Sequence, residues 1–369
     1  MKKYLFLIAV VMGPIEFAFA DFLESTPVGP GTIHHHEFRQ EGPWHIHILE
    51  INLTNDWIYL ETIKANDLLS GYERTSSMAA RSDFEEHRVV GAVNGDFYST
   101  GGVPVGAQVL NGVLLKKPTT RAVFGCTDQK IPFIDIVSFQ GAVVCKGGLN
   151  KAVDGINEPR GSAQLIVFNK YYGSRTGTNY WGTEVIAEYL TENQAVNDTV
   201  LLCVTRKDSI MESGHGNNQI PASGVVLSGH STSKDFLDQN IFVGDTIKLI
   251  LQLPPLTLPV VELIGGGPQI ITNGVLSVDS SSFATDRHPR TAVGFSQDST
   301  KVYFFTVDGR QPGYSVGMSL YELANYMLEW GVYQGVNLDG GGSTTMYVRN
   351  EVVNSPSDPD GERSVANAL

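Results

Sequence analysis

The chain has 369 residues, of which 42% are hydrophobic and 18% are charged, with 39 glycines and 17 prolines. This composition is typical of a globular protein rich in turns and strands. The formal net charge of −13 argues against sequence-independent nucleic-acid binding, which depends on a basic surface. No apolar stretch beyond the first 20 residues is long enough to span a bilayer, so we expect no integral membrane association.

Residues 1–20 have the pattern of a secretory signal peptide. Lys2 and Lys3 precede an apolar run over 4–12, and Ala18-Phe19-Ala20 stands directly before Asp21. We therefore predict a secreted or periplasmic protein whose mature chain begins near Asp21. Within it, we predict a strand-rich N-terminal segment at 21–88 and a larger domain at 89–369.

The cysteines and histidines point to no metal site. Cys126, Cys145 and Cys203 are an odd number, which in an exported protein suggests one disulfide and one buried thiol, and we expect the pair Cys126–Cys145. No cysteine pair or histidine cluster has zinc-ligand spacing. The five histidines between residues 34 and 47 lie in a turn and an alternating strand, which favours surface residues over ligands.

The first two thirds of the chain predict strands with one short helix. Alternating hydrophobicity at 45–53 and 57–60 predicts half-buried strands. A short helix fits 75–87 and precedes an apolar strand at 89–93. Short apolar runs over 122–253, separated by Gly, Asn and Pro, predict a β-rich domain body.

Two further strands are predicted as a hairpin late in the chain. The runs 290–295 and 302–307 are separated by a turn-like Gln-Asp-Ser-Thr. Paired strands of this length would bring Arg290 near Arg310, because opposite ends of the two strands meet.

One helix has a clear start and a clear end. Ser319-Leu320-Tyr321-Glu322 is a capping box that opens a helix through Trp330, and Gly331 ends it. Together these elements predict an α+β fold, a β-rich mixed-sheet domain with a few flanking helices.

The most informative stretch is 335–348, Gly-Val-Asn-Leu-Asp-Gly-Gly-Gly-Ser-Thr-Thr-Met-Tyr-Val. It places Asp339 at the end of a predicted strand and directly before three glycines, whose amides can form an anion-binding concavity. A similar arrangement occurs at Asn94-Gly95-Asp96 and behind Glu262. An ordinary Gly-rich turn is the alternative reading of each.

Carboxylates and arginines alternate at the predicted strand ends. Arginine binds phosphate oxygens bidentately, and a pair of carboxylates can serve as nucleophile or base and as acid at a sugar carbon. The same carboxylates could instead hold a divalent cation, Mg²⁺ or Ca²⁺, and each arginine could form a structural salt bridge. The residues are Asn94, Asp96, Glu262, Arg290, Asp308, Arg310, Asp339, Glu362 and Arg363.

The sequence from about Val89 to Leu369 resembles the phosphodiester glycosidase family. The resemblance implies hydrolysis of a sugar-1-phosphodiester to a free sugar and a phosphomonoester. The motifs that carry it are Asn94-Gly95-Asp96-Phe97-Tyr98, Pro104-Val105-Gly106, Gly266-Gly267-Pro268, Arg290-Thr291-Ala292-Val293-Gly294, Thr306-Val307-Asp308-Gly309-Arg310, Gly317-Met318-Ser319, Asn337-Leu338-Asp339-Gly340-Gly341-Gly342-Ser343-Thr344 and Glu362-Arg363-Ser364-Val365-Ala366-Asn367.

This resemblance gives each polar residue an expected role. Because a phosphate leaving group departs with its charge delocalised, arginines can stabilise it, and we expect this of Arg290, Arg310 and Arg363. The remaining assignments are Asp308 and Asp339 as candidates for nucleophile or base, Asp96 and Glu362 as supporting carboxylates, and Asn94 with the Gly340 and Gly341 amides as substrate-positioning groups.

The expected partner is a sugar phosphodiester or a phosphate-containing glycopolymer. Two other classes remain open from the sequence, which are a metal-dependent phosphoesterase and a non-catalytic glycopolymer-binding protein of the cell envelope.

Overall fold

The computed structural model describes residues 21–192 and 194–369, so the predicted signal peptide lies outside the described residues. Strands dominate the chain. The strands of the first part are β1 Phe22–Gly29, β2 Thr32–Arg39, β3 Trp44–Asn52, β4 Ile63–Lys64, β5 Glu73–Arg74, β6 Gly91–Val93, β7 Tyr98–Ser99, β8 Val103–Pro104, β9 Gln108–Leu110, β10 Val113–Lys116, β11 Val123–Thr127, β12 Pro132–Asp135, β13 Gln140–Val144, β14 Asn150–Ala152, β15 Gly155–Ile156 and β16 Leu165–Asn169.

The second part of the chain adds the remaining strands and three of the four α-helices in the described residues. The strands are β17 Gly182–Tyr189, β18 Thr199–Asp208, β19 Gly224–His230, β20 Thr246–Gln252, β21 Val260–Gly265, β22 Gln269–Thr272, β23 Val275–Leu276, β24 Arg290–Ser296, β25 Lys301–Val307, β26 Val332–Asn337, β27 Met346–Val348, β28 Glu351–Val352, β29 Ser364–Val365 and β30 Asn367–Ala368. The helices are α1 Thr75–Ser82, α2 Thr232–Asn240, α3 Ser282–Thr285 and α4 Leu320–Glu329, with 3₁₀ turns at Ala65–Asp67 and Gly341–Ser343.

Three larger sheets form the body of the protein. The first has the antiparallel order β1-β2-β3-β25-β24-β26-β22-β23, and the second has the order β10-β9-β21-β11-β12. The third has the order β14-β13-β20-β18-β17-β19-β16-β15, in which β15 and β16 run parallel. The β-rich prediction is confirmed. The helices are few and short, so the α+β label describes the molecule only loosely.

The five-stranded sheet is a middle layer that is covered on both faces. Alternate residues of a strand point to opposite faces, and on β11 Phe124 enters the core shared with the first sheet, whereas Val123 enters the core shared with the third. On β21, Ile264 likewise enters the core shared with the first sheet, and Leu263 enters the core shared with the third. The other face of the first sheet packs against α4. These layers hold the strand ends of the first and middle sheets against each other.

The N-terminal segment contributes to the same sheets as the rest of the chain. β3 pairs with β25 along seven residues, and the short strands β4 and β5 pair with β30 and β29. Residues 21–88 therefore flank the C-terminal strands that end near the predicted site.

The predicted hairpin and the predicted caps of the late helix are confirmed. The hairpin between β24 and β25 is confirmed, with Arg290 opposite Val307. Ser319 caps α4 with the full reciprocal capping box, and Gly331 follows the helix with φ +77°. Helix α1 is shorter than the 75–87 prediction, because the backbone is already extended at Asp83.

The expected disulfide is wrong, since all three cysteines are free thiols. Cys126 on β11 belongs to the core between the first and middle sheets, whereas Cys145 belongs to the core on the far side of the middle sheet. A layer of backbone separates the two side chains. Burial raises the pKa of the Cys126 thiol to about 12.

The expectation of surface histidines is wrong for His47 and His35, which are buried. Antiparallel pairing of β2 with β3 puts four imidazoles on one face as a stack, hereafter the histidine stack of His34, His36, His45 and His47. His34 Nε2 lies 3.1 Å from His47 Nδ1, His36 Nε2 lies 3.0 Å from His45 Nδ1, and the rings of His36 and His47 stack at 4.2 Å.

Acidification is expected to destabilise the protein through the histidine stack. Burial and neighbouring imidazoles lower the pKa of His34 and His45 to about 4, and the pKa of His47 falls well below 6.5. The unfolded chain then binds more protons than the folded one between about pH 6.5 and 4, so stability is lost as the pH falls. We expect the free energy of unfolding to drop by about 2–3 kcal/mol from pH 7 to pH 5, after allowance for the partial exposure of His34 and His45.

Urea unfolding at the two pH values measures this drop. The variant His47→Gln should show a smaller pH dependence than the wild type, and His230→Gln in the third sheet serves as the control. An unchanged pH slope in His47→Gln would contradict the assignment.

Candidate active site

The site is built around residues 339–345, hereafter the glycine segment, which follow β26. Its backbone lies too close to its neighbours for side chains, since a Cβ on Gly340 would lie 2.7 Å from Pro289 O. Gly341 has φ +63°, in the left-handed region that favours glycine. These two glycines therefore let the chain turn tightly beside the Arg290 strand.

Hydrogen bonds bring two other predicted motifs to the glycine segment. Asp339 N donates to Gly95 O at 2.9 Å, and Asn94 Nδ2 donates to Asp339 O at 2.7 Å. Leu338 N donates to Thr291 O at 2.8 Å, which fixes the strand of Arg290 alongside. Residues far apart in sequence therefore meet at one edge of the first sheet.

Asp339 lies among positive charges and is half-buried. One of its oxygens, Oδ1, accepts from Gly340 N at 2.9 Å. Burial raises the pKa of Asp339, and the Gly340 amide and the charges of Arg363 and Arg121 oppose that rise. The carboxylate is thus placed within the electric field of two guanidinium groups, which suits a group that must act as an anion beside an anionic substrate.

Asp96 is fully buried and incompletely bonded. Gly106 N donates to Oδ2 at 2.5 Å, while Oδ1 has no hydrogen-bond partner among the described residues and lies 3.9 Å from Arg121 Nη2. Burial raises the pKa of Asp96 to about 6, against the Gly106 amide and the charge of Arg121. Asp96 and Asp339 therefore share one arginine between them.

Asp308 is also buried, but its oxygens are occupied by protein donors. Oδ1 accepts from Asn354 Nδ2 and from Ser355 N, each at 3.0 Å, and Tyr314 Oη donates to Oδ2 at 3.1 Å. Burial raises the pKa of Asp308 to about 6. Asn354 Nδ2 also donates to Thr344 O at 3.2 Å. Asp308 is therefore connected to the glycine segment through Asn354.

Arg290 and Arg310 lie together, as the hairpin predicts. Arg290 is buried and donates from Nε to Met318 O and from Nη2 to Phe283 O and Asp286 O. Burial, followed by the charge of Arg310, lowers the pKa of Arg290 to about 10.

Arg310 is exposed and lies against the glycine segment. A Cβ on Gly341 would be 3.0 Å from its Nη2. Within the described part of the chain, neither Arg310 nor Arg290 has a carboxylate within 4 Å, so Arg310 is available to an anion.

The neighbours Glu362 and Arg363 point to different parts of the protein. Arg363 binds Asp358 with two parallel hydrogen bonds of 2.7 and 2.8 Å, and its guanidinium lies beside Gly342. Glu362 points away and accepts from Ser76 N at 2.8 Å and from Ser76 Oγ at 2.5 Å. Its partners are those of a carboxylate that caps the first turn of α1.

Replacing Glu362 by alanine is expected to cost about 1 kcal/mol of stability, because two donors at the start of α1 lose their acceptor. Turnover per folded molecule should change less than about threefold, as expected for a group acting through a helix cap. Thermal or urea unfolding and steady-state kinetics measure both effects, with Glu351→Ala as the exposed control. A loss of more than about a hundredfold in kcat/KM at unchanged stability would instead support the predicted catalytic role.

Three groups expected to position substrate are engaged within the protein. Asn94 accepts at Oδ1 from Thr291 Oγ1 at 2.7 Å and from Thr345 N at 3.1 Å. The Gly341 amide donates to Pro289 O at 2.9 Å, and the Gly340 amide donates to Asp339. These bonds align Asp339, so the amides do not form the expected free anion-binding concavity.

A divalent cation is one of the alternatives that the sequence leaves open. Over residues 21–192 and 194–369, no group of three or more His, Cys, Asp or Glu side chains could hold a metal ion. Glu262 is buried and accepts from Thr62 N and Asn111 N, each at 2.8 Å. Burial raises the pKa of Glu262 to about 8.

Arg121 and His288 were not predicted from the sequence. His288 Nδ1 lies 3.4 Å from Arg310 Nη2, and burial followed by the charges of Arg290 and Arg310 lowers the pKa of the imidazole. Arg121 reaches Asp96 from a different loop. The available signal was the position of Arg121 two residues before the buried strand β11, where a charged side chain enters the protein.

Comparison with known proteins finds one matching family. The phosphodiester glycosidase family model matches residues 193–369, which include the strand of Arg290, the glycine segment and Arg363. Residues 193–369 belong to the phosphodiester glycosidase family. The match includes Asp339 and leaves Asp96 and Arg121 outside its bounds.

Individual relatives are distant. N-acetylglucosamine-1-phosphodiester alpha-N-acetylglucosaminidase of Mus musculus is 29% identical over 154 residues, which are 38% of this chain and 26% of that protein. The Homo sapiens protein of the same name is 30% identical over 27% of this chain and 22% of its own length. The matches thus span less than half the length of these curated relatives.

The fold extends beyond the family match. The crystal structure of a hypothetical protein from Synechocystis aligns with a TM-score of 0.67 at 19% identity, covering 95% of this chain and 63% of that one. At this identity the likeness shows a shared fold. Residues before 193 are therefore included in that likeness.

Proposed function

We propose that the protein is a hydrolase that cleaves the glycosidic bond of a sugar-1-phosphodiester and releases a free sugar and a phosphomonoester. The observation that carries the proposal is the position of Asp339, a half-buried carboxylate at a strand end whose pKa is influenced by two arginines. A carboxylate can attack the anomeric carbon or activate water there, while arginines bind the phosphate that departs. Membership of residues 193–369 in the phosphodiester glycosidase family supports the same reaction.

Each charged group takes one part of the reaction in this proposal. Asp339 acts as the nucleophile or the base at the anomeric carbon. Arg310 and Arg363 bind phosphate oxygens beside the glycine segment, because the guanidinium of Arg310 lies against Gly341 and that of Arg363 against Gly342. Arg363 does so while its Nε and Nη2 stay bonded to Asp358. A delocalised phosphate leaving group needs little protonation, so this reaction does not require a dedicated acid beside Asp339.

Asp308 and Arg290 support the site from the protein side. Both are buried. Arg290 donates to Met318 O, and Asp308 accepts from Asn354, which also donates to Thr344 O in the glycine segment. They orient the machinery rather than contact the substrate in this proposal. A direct catalytic role for Asp308 stays a prediction.

Export and substrate class complete the proposal. The signal-like residues 1–20 favour a secreted or periplasmic location, where a phosphate-containing glycopolymer of the cell envelope would be accessible. Among the described residues, no helix is both long and apolar enough to cross a membrane.

The proposal is tested with a panel of sugar-1-phosphate diesters and identification of both products. A free reducing sugar together with a phosphomonoester is the expected result. Release of sugar 1-phosphate would show that the phosphate ester bond is cleaved instead, and binding without any product would support a glycopolymer-binding protein. Chelator treatment distinguishes a metal-dependent phosphoesterase, whose turnover would disappear and return on addition of Mg²⁺ or Ca²⁺.

A further inference from the structure

Arg121 has one edge of its guanidinium without a partner. Nε and Nη2 are buried and make no hydrogen bond to any described residue. Asp96 Oδ1, the carboxylate oxygen that faces it, is 3.9 Å from Nη2, which is beyond hydrogen-bond distance. Nε and Nη2 are the two parallel donors with which arginine binds a phosphate or a carboxylate. Buried donors in folded proteins are normally bonded, so this edge fits a ligand.

The guanidinium is held in place without the use of that edge. Its central carbon lies over the Phe97 ring, 4.6 Å from the centroid, a cation–π contact that uses none of the N–H donors. A Cβ on Gly267 would lie 3.6 Å from Nη2, an ordinary contact distance, so the glycine adds no side chain over that atom. The aromatic ring therefore positions Arg121, and Gly267 leaves the Nη2 side uncovered.

Arg121 belongs to the site of Asp339 by position. Its charge acts on both Asp96 and Asp339, and the bond from Asp339 N to Gly95 O joins the two segments. The Phe97 ring also contacts Phe283 edge to face at 6.2 Å, and Arg290 lies over Phe283 at 5.1 Å. Two aromatic rings thus connect Arg121 with the arginine pair at the other side of the site.

We propose that Arg121 is a substrate-binding residue whose Nε–Nη2 edge binds two oxygens of the phosphodiester. This inference rests on the proposed function and adds an arginine outside the family match. The same edge could bind a carboxylate on the sugar. The phosphodiester is favoured because the anion bonded to the anomeric carbon is the one that must lie beside Asp339, within reach of Arg121.

Direct binding of inorganic phosphate and dimethyl phosphate, measured by calorimetry, tests the inference without turnover. Arg121→Lys keeps the charge but loses the parallel donors. Arg121→Gln combined with Asp96→Asn removes both charges, so that no buried carboxylate is left unopposed. Arg175→Gln, on a loop of the third sheet, is the matched control. Thermal unfolding of each variant verifies that it is folded.

We expect the double variant to bind both anions on the order of 30-fold more weakly, Arg121→Lys to be intermediate, and Arg175→Gln to match the wild type. Undiminished phosphate binding in the double variant, or no phosphate binding by the wild type, would overturn the inference. Glucuronate is measured in the same way as a probe for a sugar carboxylate, and loss of its binding in the double variant with phosphate binding retained would overturn the inference in favour of a sugar carboxylate. The panel of sugar-1-phosphate diesters tests the proposed reaction independently of anion binding. The proposed function and the role of Arg121 can therefore fail separately.

Discussion

Replacing Asp339 by asparagine is expected to reduce kcat/KM on a cleaved sugar-1-phosphodiester by at least about a thousandfold, while the protein stays folded. The substitution keeps the shape of the side chain and removes the anion that attacks or activates water. Gly340 N can still donate to the amide oxygen in place of Oδ1. Because burial raises the pKa of Asp339, a neutral side chain there should not lower the free energy of unfolding.

The pH profile of the wild type gives a second measure of the same group. If the ionised form of Asp339 is required, kcat/KM falls on acidification, and the fall begins at a higher pH than for an ordinary aspartate because the pKa is raised. Asp298→Asn, in the turn between β24 and β25, is the control for a generic loss of charge. Retention of more than about a tenth of the activity in Asp339→Asn would remove the central residue of the proposed mechanism.

Asp308→Ala is expected to lower the free energy of unfolding by about 3–5 kcal/mol, because one buried and two half-buried donors lose their acceptor at once. These donors are Asn354 Nδ2, Ser355 N and Tyr314 Oη. Asp308→Asn should cost less, since one oxygen remains and the phenol can reorient. Urea unfolding at pH 7 measures both, with Asp298→Ala as the control.

Kinetics of folded Asp308→Asn separates support from catalysis. We expect kcat/KM within about tenfold of the wild type, because Asp308 acts on the glycine segment through Asn354 and Thr344. A loss as large as that of Asp339→Asn at near-normal stability would show that Asp308 takes part in the chemistry, as the sequence suggested.

Local sequence was sufficient to predict elements whose conformation depends on neighbouring residues. The reciprocal bonds of Ser319 and Glu322, the left-handed Gly331 and the β24–β25 hairpin depend on residues within a few positions of each other. The glycines after Asp339 likewise predict a tight turn. Periodicity and caps report such short-range constraints directly.

Pairing between distant groups could not be inferred in the same way. The sequence shows that Cys126 and Cys145 are buried types of residue, but only the layering of sheets places them in different cores. The five histidines looked exposed because alternation predicts a strand with one outer face, and the stack arises only when β2 pairs with β3. Glu362 carried a charge suited to catalysis, and tertiary structure assigned it to the start of α1.

The sequence by itself therefore determined the β-rich class, the helix caps and the motif positions at strand ends, because backbone geometry and side-chain periodicity are local properties. Tertiary structure alone decided which carboxylates keep an unbonded oxygen and which arginines lack a carboxylate partner. Asp308 and Asp96 look alike in sequence, yet one is surrounded by donors and the other faces Arg121 across 3.9 Å. Burial and the supply of hydrogen-bond partners depend on segments that only the fold brings together, and these set the charge and the reactivity of each group.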